Sequence, residues 1–227
     1  MNTTIRTIVF DFDGVLVASN AIKRDAYFRI FEDAEISSGQ IDLCIRQNYD
    51  GNRYDVIGAV VDNLLNPSLL PSEFDRSACI EQYATLYNEH CESAVAECDE
   101  VAGTSEILDQ LYGKIPLYIN SATLEEPLQR IVRQRGWHQR FQGVFGSPTS
   151  KVANLEKIRQ AENCLPEEIA FVGDGQRDGD AARAFGCLFV GVRNDHTDFV
   201  APIPYEIVRF TELIEVLENI ASNIKAA

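Results

Sequence analysis

Five short apolar runs punctuate the chain: Ile8–Phe10, Ile115–Ile119, Gly143–Phe145, Ile169–Val172 and Leu188–Val192. Most are rich in valine, isoleucine and phenylalanine, and each has the length of a buried strand rather than of a helix. Helical patterns separate the later ones. Leu124, Leu128 and Ile131 share one face of a segment over 124–135, which opens with Thr123 and Glu126 in capping-box spacing and stops at Gly136. Val152, Leu155 and Ile158 mark a second helix, which must end before Pro166, and Asp178–Phe185, stopped by Gly186, reads as a third. Thr211 is placed to cap a last helix carrying Leu213, Leu217, Ile220 and Ile224. Strands that alternate with helices predict an α/β fold, a Rossmann-like parallel sheet covered on both faces.

Residues 18–98 break this rhythm. They carry helical spacings (Ile22, Ala26, Ile30; Val56, Val60, Leu64; Ile80, Ala84, Tyr87) and no convincing buried strand, and Pro67 and Pro71 are expected to bracket a turn. The expected organisation is a discontinuous core of 1–17 and 99–227, interrupted by an all-helical domain over 18–98.

The chain is long enough, at 227 residues, for one substantial core with a satellite domain. No stretch approaches the roughly 20 apolar residues that span a membrane. The amino terminus, MNTTIRTIVF, lacks the apolar core of a signal peptide. Cysteines 44, 79, 91, 98, 164 and 187 form no C-x-x-C pair, so reduced thiols and a cytoplasmic location are expected. The formal charge of −15 repels nucleic acid and anionic membranes alike, which excludes both as expected partners. An anionic small molecule would need particular local cations, so each lysine or arginine near a candidate site carries information.

The residues that end the runs are not those of ordinary turns. The first run leads into Asp11 and Asp13, followed by Gly14. The second leads into Ser121 in YINSAT, the third into GSPTSK with Lys151 opening a helix, and the fourth into FVGDGQRD with Asp174 and Asp178. In an open parallel sheet, ligands bind outside the carboxyl ends of the strands. Several carboxylates gathered there cannot all stay ionised without a cation, and an all-oxygen set suits Mg²⁺. A lysine and a metal together can neutralise a phosphoryl group, Ser121 and nearby amides can donate to its oxygens, and one aspartate can attack while another moves a proton.

This pattern resembles the haloacid dehalogenase superfamily, in the phosphatase branch that includes phosphoglycolate phosphatases and beta-phosphoglucomutases and carries an α-helical cap after the first strand. DFDGVL matches the family's D-x-D-G signature, Ser121 its Ser/Thr motif, Lys151 its lysine motif and GDGQRD its G-D-x-x-x-D motif, all in order. The resemblance implies that Asp11 is the nucleophile of an aspartyl-phosphate pathway and Asp13 the general acid and base. It implies phosphoryl contacts from Ser121, Ala122 and Lys151. It implies Mg²⁺ held by Asp11, the backbone carbonyl of Asp13, Asp174 and Asp178, the last directly or through a water. Asp178 could equally cap the helix it opens.

In capped relatives a loop near Arg53 reaches the active site and reads the substrate, so Arg53 is a candidate for binding a carboxylate or phosphate, with an ion pair to Asp50 or Asp55 as the plainer role. Lys23 stands where many relatives place a histidine, and Ala18 where aspartate is frequent; both depart from the family pattern. The expected function is Mg²⁺-dependent hydrolysis of a small phosphorylated metabolite. A phosphosugar mutase would share every core motif and differ in keeping water from the intermediate. A receiver-type phosphate-binding protein fits less well, because receivers are about half this length and take the phosphate after a later strand. GDGQRDG fails as a dinucleotide fingerprint, since Asp178 replaces its third glycine. His90, His138 and His196 are isolated, and Trp137 beside Gly136 is read as packing. Oligomeric state is not legible.

Overall fold

A computed structural model of the chain describes residues 5–34, 36–48, 52–65, 75–197 and 199–226. The expected turn between Pro67 and Pro71, Asp50 and the side chain of Ile224 lie outside the described residues and side chains. By internal contacts the chain divides into two compact units, Met1–Ser19 with Cys98–Ala227, and Asn20–Glu97.

The first unit is built on a six-stranded parallel sheet, β1 (Thr7–Phe10), β2 (Leu117–Leu124), β3 (Gly143–Ser147), β4 (Ile169–Gly173), β5 (Leu188–Val192) and β6 (Glu206–Ile207), in the order β3-β2-β1-β4-β5-β6. Helices α5 (Thr104–Leu111), α6 (Glu125–Gln134), α7 (Lys151–Glu162), α8 (Gln176–Phe185) and α9 (Leu213–Ala226) accompany it. Thr7–Phe10 is buried throughout, as a central parallel strand covered on both faces must be. Its residues alternate between the two layers. Val9 joins Phe171, Leu155, Ile158 and Ala182 in the core beneath α7 and α8, while Phe10 meets Phe141 and Phe210 at ring-centroid distances of 6.4 and 6.0 Å.

Register fixes which residues reach the carboxyl rim together. Phe10 of β1 lies opposite Ile119 of β2 and Val172 of β4. The chain therefore leaves β1 and β4 at about the same height, while β2 continues past Ile119 to Leu124. The switch in strand order falls between β1 and β4, where neighbouring connections diverge and leave a crevice.

Three local expectations are corrected. β2 starts at Leu117 rather than Ile115, because Pro116 has no N–H to enter a ladder, and it runs on to Leu124 through an irregularity between Asn120 and Leu124. Thr123 is thereby drawn into the strand. α6 begins at Glu125, with Leu124 rather than Thr123 as its flanking residue. Thr211 does not cap α9 either, since it sits in a short 3₁₀ turn, Phe210–Glu212, whose carboxylate at Glu212 takes the N–H groups of Val208 and Arg209. The edge strand β6 and helix α5 carried too short a pattern to be anticipated.

The second unit holds α1 (Asn20–Ile30), α2 (Ser38–Gln47), α3 (Arg53–Leu64) and α4 (Arg76–Glu97), and no strand among its described residues. Tyr27 of α1 and Tyr87 of α4 stack with centroids 4.6 Å apart, and Phe31 meets Tyr83 at 4.4 Å.

Candidate active site

Asp11 follows β1 directly, its N–H donating to Val172 O at 2.8 Å. The chain then turns tightly. Gly14 takes a left-handed φ of +74°, and the N–H groups of Leu16 and Val17 return to Phe12 O. Fully buried Phe12 anchors this loop edge-on against Trp137, with centroids 6.5 Å apart. The bend sends the two aspartates to different surroundings.

Asp11 enters a carboxylate cluster with Asp174 and Asp178, in which one oxygen of each lies within 4.8 Å of the others. All three side chains are buried. Gly173 makes the arrangement possible, because a Cβ at this position would stand 2.4 Å from Asp178 Cβ. Asp178, third residue of α8, also accepts the Gly175 N–H at 3.1 Å, so its capping and its membership of the cluster coexist. The helix it was expected to open starts two residues earlier, at Gln176.

Lys151 is the first residue of α7, a position where the helix dipole opposes a cation. Two carboxylates offset that cost. Its Nζ donates to Asp178 Oδ1, lies 3.0 Å from Asp11 Oδ1 and sits 5.6 Å from the centroid of Phe171. Ser150 caps α7 through the Ala153 N–H. Buried Asn120 holds the Lys151 carbonyl at 2.9 Å and is itself held by buried Asn154 at 3.1 Å. Burial alone would depress the lysine's pKa, but Asp11 and Asp178 outweigh it and hold the ammonium above its ordinary value.

The balance at Asp11 runs the other way. Burial pushes its carboxyl up to about 7; Lys151 pulls it down, and Asp178, Asp174 and Asp13 push it up again. Three carboxylates against one ammonium leave a deficit of positive charge. Asp11 Oδ1 is buried, facing the Lys151 ammonium at 3.0 Å. A hard divalent cation fits this donor set. It would share the three carboxylates and supply the missing charge.

Asp13 stands apart from that cluster, its carboxylate collecting hydroxyl groups. Ser19 donates to Oδ1 at 2.6 Å, and Thr123 and Ser121 to Oδ2 at 2.8 and 3.4 Å. Ser121 Oγ also accepts the Thr123 N–H at 3.1 Å, and Ala122 is exposed at the rim between them. Sequence reasoning missed Ser19 and Thr123, and Thr123 was misread because its spacing from Glu126 matched a cap. Asn194 was missed too. It follows β5 and donates to Asp174 Oδ2 at 2.9 Å.

Arg53 and Lys23 belong to the helical unit. Arg53 is the first residue of α3, where Asn52 caps through the Tyr54 N–H and Asp55 takes the Asn52 N–H. Its guanidinium donates to Asn88 Oδ1 and lies 5.6 Å from the centroid of Tyr87. Lys23 is half-buried on α1.

Residues 5–186 match the haloacid dehalogenase-like hydrolase family. The chain belongs to that family, and it is a hydrolase. It is 26% identical over 234 residues to a phosphoglycolate phosphatase of Neisseria gonorrhoeae, covering 97% of this chain and 94% of that protein. Solved structures share the fold. CbbY of Rhodobacter sphaeroides, in complex with xylulose-(1,5)bisphosphate, superposes with a TM-score of 0.73 at 15% identity, over 94% of this chain and 99% of that one. The HAD-hydrolase YfnB of Bacillus subtilis, bound to magnesium, gives a TM-score of 0.69 at 20% identity, over 94% and 99% of the two chains. Among the described residues no helix is long and apolar enough to cross a membrane.

Proposed function

We propose that the chain is a Mg²⁺-dependent phosphatase of a small phosphorylated metabolite, working through an aspartyl-phosphate on Asp11. The observation that carries this reading is the buried set of Asp11, Asp174, Asp178 and Lys151 at the switch point of the sheet, in which three carboxylates face one ammonium. The name of the 26%-identical relative supports it.

In this reading an Asp11 oxygen attacks phosphorus, the bond to the leaving oxygen breaks, and Asp13 gives that oxygen its proton. Asp13 then takes a proton from the water that attacks phosphorus, releasing inorganic phosphate and regenerating Asp11. Lys151 screens the charge of Asp11 and holds the phosphoryl group, which Ser121 and Ala122 also contact. Asp11, Asp174 and the carbonyl of Asp13 would hold Mg²⁺, with Asp178 joining directly or through a water; when bound, the ion would supply charge neutralisation for the phosphoryl group. The hydroxyls of Ser19 and Thr123 orient the Asp13 carboxylate. Residues 18–98 act as a cap that restricts access to small substrates, with Arg53 and Lys23 as candidates for reading the part of the substrate that does not react.

The test is phosphate release from a panel of phosphorylated metabolites, phosphoglycolate and sugar phosphates included. Activity should require Mg²⁺, stop with a chelator, and fall by more than about 10³-fold in Asp11→Asn, as expected for loss of a nucleophile. Full activity in the folded variant overturns the mechanism. Transfer between two positions of a sugar phosphate, without free phosphate, would instead identify a mutase.

A further inference from the structure

We infer that Asn194 is a positioning residue for the metal centre: its carboxamide sets the rotation of the Asp174 carboxylate and ties it to the loop that follows Asp11. This inference rests on the Mg²⁺ reading of the carboxylate cluster given above.

Asn194 lies just beyond β5, on a different strand from any member of the cluster. Its Nδ2 donates twice, to Asp174 Oδ2 at 2.9 Å and to the Gly14 carbonyl at 3.2 Å. Both partners are acceptors only, while Oδ1 accepts the His196 N–H at 2.8 Å, so the surroundings dictate which way the amide faces. One side chain therefore bridges the ends of β1 and β4, the two strands that flank the switch point. With one Asp174 oxygen committed to Asn194, the orientation of the carboxylate is set before a cation arrives. A neutral donor suits this place. Lysine or arginine would spend the negative charge that binds the metal, and a carboxylate would repel Asp174.

The loop bearing Asn194 is itself fixed independently of the cluster. Thr197 Oγ1 accepts the Asn194 N–H at 2.8 Å and donates to Val192 O at 3.0 Å, and Gln176 Oε1 of α8 accepts the Val200 N–H at 3.0 Å. The stretch from β5 to Thr197 is thus a scaffold that delivers one amide to one carboxylate. Partners of this kind, beyond the ligands themselves, typically change metal affinity by about 10–100-fold when removed.

The experiment is Mg²⁺ titration by calorimetry of the full chain, comparing wild type, Asn194→Ala, Asn194→Leu and Thr197→Val, with thermal melts in chelator to verify folding. Asn194→Ala should bind Mg²⁺ about 10-fold more weakly, and raising the Mg²⁺ concentration should restore most of its kcat, which a merely structural defect would not allow. Asn194→Leu keeps the volume without the donor and should show the same loss, covering the case in which alanine does not fold. Thr197→Val loosens the loop that presents the amide but keeps the donor itself, and should weaken Mg²⁺ binding by clearly less than either Asn194 variant. Wild-type affinity in both Asn194 variants, or an equal loss in Thr197→Val, overturns the inference while leaving the metal reading intact. A wild-type chain that binds no Mg²⁺ removes the metal reading and this inference with it.

Discussion

Asp11 carries opposing demands in a single side chain. Burial and three neighbouring carboxylates resist its ionisation, Lys151 favours it, and resistance wins, with the carboxyl pushed from 3.8 to about 7. A carboxyl whose pKa is raised on folding binds its proton more tightly in the folded state, so its contribution to stability falls as pH rises from about 4 to about 7 and stays low above that. Asparagine imitates the protonated form. In chelator, Asp11→Asn should therefore melt above wild type at pH 8, by about 2–4 °C for each kcal/mol relieved, and the gap should close near pH 4. Calorimetric melts across that range check it, and a gap that widens toward low pH would contradict the charge balance described for the cluster. Added Mg²⁺ should displace the same proton, so its stabilising effect on wild type should grow with pH.

At the scale of elements, the site is a property of where strands stop and helices start. β1 and β4 end level, and α7 and α8 begin at the same rim, so Lys151 at the first position of one helix can reach Asp178 at the third position of the other. Gly173 sets how closely α8 can approach β4. In Gly173→Ala the new Cβ would fall 2.4 Å from Asp178 Cβ and 2.6 Å from its Cγ, and the aspartate must move. Mg²⁺ affinity and kcat/KM should both fall, by about 10-fold or more, with the far-UV spectrum unchanged. Calorimetry and initial rates measure the two quantities, and an unaltered metal affinity would mean that the helix shifts as a whole instead. The alternation of strands with helices was legible because apolar runs and 3.6-residue spacings leave different patterns. Lys151 opens α7 as expected, but the starts of α6, α8 and α9 were not legible, because a hydroxyl or carboxylate near an apolar stripe has several possible partners. Thr123 lies in β2 and donates to Asp13, and Thr211 lies in the short turn whose Glu212 accepts the Val208 and Arg209 N–H groups.

At the scale of the molecule, a net charge of −15 sets the long-range field. An anionic substrate approaches against that field and is held only by local cations, so screening should help it. With Mg²⁺ kept saturating, kcat/KM for a phosphorylated substrate should rise about two- to fivefold between about 20 mM and about 200 mM salt. Initial rates over that range test it, and a steep fall with salt would mean that a positive local field dominates the approach. All six cysteines are free thiols, so neither unit depends on a disulfide.

The sequence by itself determined the parallel α/β architecture and the order of chemically distinctive residues at the strand ends. Those features are written in local composition, as runs, spacings and the residues that interrupt them. Only the tertiary structure decided how two aspartates one residue apart divide their surroundings, one among carboxylates and a lysine, the other among hydroxyls. Tertiary structure alone also decided that Asn194, which reads in sequence as an ordinary loop asparagine, bridges Asp174 and Gly14. The reason is physical. Hydrogen-bond partners of a buried polar group are chosen by what the fold brings within 3 Å or so, and that choice is made across separations of a hundred residues or more.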